Sequence, residues 1–228
     1  ADRGVRVRIL LDDSFTSAYA DAIWLIDHHP NIEFRLYNPY SKRIDNMALR
    51  ALLNLGEFGR VDHRMHNKCL IVDNRVAIVG GRNQADEYFG WHAQANFRDL
   101  ELISFGQVVP EISQHFDHFW NDEWSFPEDF VANQDSLKET PEGYAVWVAE
   151  HTRKFLDEDL DTRNSQWKQL AERAFEAKIK ILADRPASDR AGSFASDGAQ
   201  GLEQELIQLI NQAQDELNAV HIRLKSEL

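Results

Sequence analysis

One run of this 228-residue chain sets a histidine, a lysine, an aspartate, two glycines and an amide in close order. It reads His66-Asn67-Lys68-Cys69-Leu70-Ile71-Val72-Asp73, then Asn74-Arg75-Val76-Ala77-Ile78-Val79, and closes with Gly80-Gly81-Arg82-Asn83. Apolar residues at 70–72 and 76–79, broken by Asp73-Asn74-Arg75, predict two short buried strands joined by a tight turn. Alternation along such a strand sends His66 and Lys68 to one face and Asn67 and Cys69 to the other. A histidine and a lysine on one face suit an anionic, oxygen-rich substrate, because the imidazole attacks or moves protons while the ammonium holds a phosphate oxygen. Gly80-Gly81 lets backbone come close to a ligand and offer N–H groups, and Asn83 adds a neutral donor. The run reads as a phosphate-handling site. A core hairpin with incidental polar ends would leave its regular spacing unexplained.

The same spacing resembles the phospholipase D superfamily, whose HKD signature His66, Lys68, Asp73, Gly80, Gly81 and Asn83 fill at every position. The likeness continues through Asp86-Glu87-Tyr88-Phe89-Gly90, Phe97-Arg98-Asp99-Leu100-Glu101, Phe116 and Trp120. With Arg64-Met65 ahead of the histidine, it is nearest to the bacterial cardiolipin synthase branch, particularly its C-type members. It covers residues 4 to 125 well and the remainder loosely. The resemblance implies an α/β fold of the layered α-β-α phospholipase D kind, here with a helical C-terminal extension. It also implies a transferase of phospholipid biosynthesis, a phosphatidyltransferase acting on phosphodiesters through a phosphohistidine. Its substrates would be phospholipids such as phosphatidylglycerol or phosphatidylethanolamine, and it would work in the bacterial cytoplasm at the peripheral surface of the inner membrane. His66, Lys68 and Asp73 would be catalytic, Asp73 fixing the position or protonation of a histidine. Gly80, Gly81, Arg82 and Asn83 would bind the substrate phosphate. Neither a metal nor an organic cofactor is implied, since cations and amides fill that role.

Family members use two such motifs face to face, and these 228 residues contain one. The second is expected in cis, from a C-terminal half, or from a second copy by homodimerisation. The bridging segment and the abrupt end favour a partial chain, an N-terminal half. Two alternatives stand beside it: a homodimeric single-motif phosphodiesterase or nuclease, and an inactive truncated remnant. The first residue is Ala, and Ala1-Asp2-Arg3-Gly4 runs straight into a strand, so the natural protein is expected to begin earlier.

Composition narrows the classes. With 43% hydrophobic and 28% charged residues the chain has the balance of a soluble globular protein. A net charge of −13 argues against a general nucleic-acid surface, which needs excess Lys and Arg. The single cysteine, Cys69, allows no internal disulfide and no cysteine-rich metal site, and alternation makes it a small buried hydrophobe. No apolar run has membrane-spanning length, which predicts a soluble or peripherally bound chain.

The elements that must position the motif follow from periodicity. Val5, Val7, Ile9 and Leu11 predict a strand ended by Asp12-Asp13-Ser14, and a helix capped by Ser14, Thr16 or Ser17 then runs to His28. Neighbouring His28 and His29 point apart and read as cations at the helix end rather than metal ligands. Ile32, Phe34 and Leu36 predict a second strand, and 44–55 a helix. Beyond Asn83 a polar, aromatic loop leads to a strand over 97–105, on which Asp99 and Glu101 share a face within reach of the site or of solvent. Gly106-Gln107, where the family usually has Gly-Pro, opens a helix over 108–121 with Ile112, Phe116, Phe119 and Trp120 at core spacing. His115 and His118 lack a third ligand nearby, so they read as surface positions. Arg64 and Arg82 read as phosphate or headgroup binders, or as ordinary exposed arginines. Later, helices are expected at 141–160 and 165–178, a strand at 179–182, a flexible loop at 187–200 and a helix at 201–220. Three parts result: a catalytic half at 1–127, a helical bridging segment at 128–200 and the start of a second repeat at 201–228.

Overall fold

The computed structural model describes residues 1–14, 16, 20–44, 46–90, 92–127, 143, 146, 160–183, 185–186 and 206–211. Expected elements at 141–160 and 187–200 lie outside these residues apart from 143, 146 and 160, which are helical. The chain divides into two units, Ala1–Ile181 and Leu182–Leu228. In the second, described residues 206–211 are helical, within the helix expected there.

The first unit begins with β1 (Val7–Asp12), α1 (Ala20–Asp27) and β2 (Ile32–Tyr37), followed by the short helices α2 (Met47–Leu53) and α3 (Phe58–Val61). The hairpin β3 (Cys69–Val72) and β4 (Val76–Gly80) comes next, then β5 (Glu101–Phe105), α4 (Val108–Trp120) and β6 (Ser125–Pro127). A separate helix, α5 (Leu160–Glu172), starts five residues ahead of the expected 165. The strands form two three-stranded sheets, β1-β2-β6 and β3-β4-β5. β1 and β2 are parallel, and β6 adds to β2 antiparallel through Leu36 opposite Phe126.

Alternation explains how the first sheet is covered. Phe34 and Leu36 point to one side and pack with Ile23 of α1, with Ile9, Leu11 and Ile26 around them. Arg35 and Tyr37 point to the other side, toward α4. There the Arg35 guanidinium lies 4.5 Å from the Trp120 ring, the Arg8 guanidinium 4.9 Å from Phe116, and Tyr37 meets Phe119 edge-on at 5.4 Å. The first sheet is thus the middle layer of an α-β-α arrangement. The other end of α4 serves the second sheet: Val109 and Ile112 pack with Ala77, and Ile71, Val79 and Val108 close around them. One amphipathic helix therefore supports both sheets.

Several expectations change. The hairpin strands are not both buried, because only one face of their sheet meets α4. The opposite face leaves Leu70 58% and Val72 47% exposed, with Phe105 exposed beside them. Cys69, expected to be a buried hydrophobe, is exposed. The strand expected from Phe97 starts only at Glu101, and residues 97–100 are irregular. No strand forms at 179–182, yet Ile181 still packs on the Ala77–Val109–Ile112 cluster. The apolar pattern there reported burial rather than pairing.

Candidate active site

The C-terminal ends of parallel β1 and β2 carry the groups that lead into the motif. β1 ends in Asp12, whose carboxylate accepts from the Ser14 N–H and hydroxyl and, across the fold, from the Met65 N–H at 2.9 Å. Arg64 Nη1 lies 3.3 Å from the same carboxylate. β2 is followed by Asn38, fully buried and in the left-handed region at φ 50°. Its side-chain amide donates to the Arg60 and His63 carbonyls at 2.8 and 2.7 Å, and its own carbonyl accepts from Arg64 Nη2. The run 60–65 is thereby fastened to both strand ends just before His66. Buried Asp13 secures the neighbouring loop, accepting from the Thr16 hydroxyl, the Tyr40 N–H and Arg43 Nε.

His66 and Lys68 sit on the irregular run into β3 rather than on the strand. His66 is exposed and Lys68 half-buried. Lys68 Nζ donates to the His66 carbonyl at 2.6 Å, and its own carbonyl accepts from the Gly80 N–H at 3.3 Å. The end of β4 therefore meets the start of the motif. Burial pushes the Lys68 ammonium below its ordinary value, while the Asp12 and Asp99 carboxylates act to hold it protonated.

The two glycines are required by close approach rather than by a positive φ. A Cβ on Gly80 would lie 2.7 Å from the Leu100 carbonyl oxygen, and one on Gly81 would lie 2.6 and 2.7 Å from the Asp99 carboxylate oxygens. Gly81 is what lets Asp99 come in beside the site. Arg82, expected to hold phosphate, has its Nε 2.7 Å from Glu101 and also donates to the Tyr88 carbonyl. That side chain is engaged in tying Tyr88 to β5. Asn83 donates to the Tyr88 hydroxyl at 3.0 Å, and the Tyr88 ring packs on Phe97 at 5.2 Å.

Asp73 lies elsewhere. It and Asn74 are both left-handed, at φ 51° and 54°, and form the hairpin turn between Val72 and Val76. All of β3 separates this turn from the run that carries His66, and Asp73 shapes the hairpin. The carboxylates that act on Lys68 are Asp99, which the sequence put within reach, and Asp12, which it treated only as a strand end. Asn38 was also missed; its one signal was Asn-Pro at a strand end, which marks a turn but not its partners. The other candidates stay apart from the site. His28 packs on Trp24, His29 bonds Asp2, and His115 and His118 have ring centres 6.0 Å apart. Among the described residues no group of three or more His, Cys, Asp or Glu is arranged to hold a metal ion.

A mixed α/β layer with a histidine-lysine run at the strand ends is the arrangement of a phospholipase D-like domain. The chain belongs to that family: the model described as "Cardiolipin synthase, PLD-like domain" matches residues 1–120. Over 120 residues the chain is 46% identical to cardiolipin synthase C of Escherichia coli K12, which covers 53% of this chain and 24% of that protein. It is 41% identical over 138 residues to an uncharacterized protein of Helicobacter pylori J99, covering 60% and 27%. To cardiolipin synthase 1 of Staphylococcus aureus MRSA252 it is 28% identical over 126 residues, covering 55% and 23%. The chain spans about a quarter of the length of these curated relatives. No solved structure matches it.

Proposed function

We propose that this chain carries one half of a phosphatidyltransferase site of the cardiolipin synthase kind, with His66 as the group that meets phosphorus. The observation that supports this reading most is the placing of exposed His66 two residues from half-buried Lys68, where burial lowers the ammonium's pKa and the Asp12 and Asp99 carboxylates oppose that shift. Relatives named cardiolipin synthase favour a phospholipid as the phosphodiester.

The chemistry follows from the groups. The His66 imidazole donates its electron pair to phosphorus, and a P–N bond forms as the P–O bond to the departing alcohol breaks. That alcohol takes a proton from a second histidine, which then accepts the proton of the incoming hydroxyl as its oxygen attacks phosphorus and releases His66. Lys68, Asn83 and the backbone N–H of Gly81 stabilise the charge gathering on the non-bridging oxygens. The second histidine comes from a second motif, in a further stretch of a longer chain or in another copy of this one. Among the described residues no helix is long and apolar enough to cross a membrane.

The test is product formation from phosphatidylglycerol vesicles by the complete protein, compared with His66→Ala and His66→Asn. Loss of product in both, with a phosphohistidine trapped by rapid quench only when His66 is present, supports the reading. Undiminished product from either variant overturns it. The solution mass of this chain then separates the two sources of the second histidine, a dimer favouring a shared site between copies.

A further inference from the structure

We propose that Asp12 is a positioning residue for the His66–Lys68 run: from the end of β1 it grips the backbone entering the motif and, with Asp99, supplies the negative field around the Lys68 ammonium. The inference rests on the phosphate-handling reading of His66 and Lys68. Three observations carry it.

The first is topological. Among the described residues the two sheets share no strand pairing, and side-chain ties link the run into β3 to the end of β1. The Asp12 carboxylate is the tie closest to the histidine, bonded to the N–H of Met65, the residue directly before it, at 2.9 Å. The second is saturation and burial. The carboxylate accepts from Ser14 twice and from Met65 once and pairs with Arg64, whose other Nη holds the Asn38 carbonyl. The Asp12 and Arg64 side chains are only 13% and 14% exposed, so water competes weakly for these bonds. A carboxylate so fully occupied fixes the backbone rather than swinging with it. The third is electrostatic. The charged groups acting on half-buried Lys68 are Asp12 from the end of β1 and Asp99 from the run into β5. A lysine asked to hold a phosphate oxygen must remain a cation, and burial alone works against that. Asp12 and Asp99 supply the opposing field.

The experiment uses the chain labelled with carbon-13 and nitrogen-15. Lys68 is followed by NMR through the alkaline range in the wild type, Asp12→Asn and Ser14→Ala. Asparagine keeps an oxygen to accept from Met65 and removes the charge, whereas Ser14→Ala removes a neighbouring bond and leaves the charge. Asp12→Asn is expected to move the Lys68 titration to lower pH and to displace the Met65 and His66 amide signals, while Ser14→Ala leaves Lys68 unmoved. A folded Asp12→Asn in which Lys68 titrates as in the wild type overturns the proposal.

Should that variant not fold, hydrogen exchange of the unmodified chain decides. The Met65 amide lies outside every strand and helix. It is expected to exchange well below the unprotected rate, and exchange at that rate overturns the proposal. Neither measurement needs turnover, so an inactive protein would count against the proposed function alone.

Discussion

Adjacent Gly80 and Gly81 offer a way to separate the packing of the site from its electrostatics. An alanine Cβ at Gly80 meets backbone, 2.7 Å from the Leu100 carbonyl oxygen and 3.1 Å from Glu101 Cα. Ordinary van der Waals contact begins at 3.4 Å, which leaves about 0.7 Å of overlap with the backbone entering β5, a strand held in register by β4–β5 pairing. Overlap of this kind costs about 1–3 kcal/mol. The lost freedom of the unfolded glycine returns about 0.4–1 kcal/mol. A net loss of about 1–2 kcal/mol follows, lowering Tm by about 2–8 °C for a chain of this size. At Gly81 the nearest atoms to the new Cβ belong to the Asp99 carboxylate, the end of a side chain that yields by rotating, at a cost of about 0.5–1.5 kcal/mol. That rotation carries the carboxylate away from the lysine, so Gly81→Ala moves the Lys68 titration to lower pH. Thermal and urea denaturation give the first quantity and lysine NMR the second. A Gly80→Ala protein that melts with the wild type refutes the reasoning, as does a Gly81→Ala protein whose Lys68 titration does not move.

Further outcomes follow from the packing and the hydrogen bonds. Leu36 is fully buried between β1 and α1, and Leu36→Ala is expected to cost about 3 kcal/mol by urea denaturation; a loss under about 1 kcal/mol would contradict that core. Because Asp73 sits in the hairpin turn, Asp73→Asn, which tolerates the left-handed conformation, should leave the Lys68 titration in place, whereas Asp73→Val should destabilise by about 1–2 kcal/mol. A displaced Lys68 titration in Asp73→Asn would show that the turn and the site communicate. The Glu57 carboxyl is held below 4.5, first by the Ser41 hydroxyl and then by Arg60. Its folded value being depressed, it contributes stability above pH 4.5 that is lost as pH falls through the lower folded value. Urea midpoints of Glu57→Gln should therefore fall less steeply than the wild type over that window, and parallel curves would contradict the assignment. A double-mutant cycle on Arg82 and Glu101 should give a favourable coupling, and a value near zero would leave Arg82 available for a ligand.

Local chemistry made the motif legible before any fold was known. The spacing of His66, Lys68, Gly80, Gly81 and Asn83 is a property of one hairpin, and period-two alternation around it is enough to place two strands. β1, β2 and the core face of α4 were legible for the same reason: each needs only its own apolar pattern. Boundaries were less so. β6 is three residues long, and its pairing with Leu36 depends on a strand some ninety positions earlier. The exposed faces of β3 could not be read either, since an apolar run looks the same whether or not something covers it.

What the sequence by itself determined is the inventory: a histidine and a lysine two positions apart, glycines that tolerate crowding, and apolar stripes that build an α/β layer. Which carboxylates serve the lysine was decided only by tertiary structure. Asp73 is nearest in sequence, but strand geometry carries it to the far turn. Asp12 and Asp99 arrive from the end of β1 and the run into β5 because parallel pairing, the Asn38 and Asp12 ties and the missing side chain at Gly81 bring them there. Side-chain type and spacing are fixed along the chain, whereas the field at a charged group depends on distances through space, and those exist only once the sheets have formed.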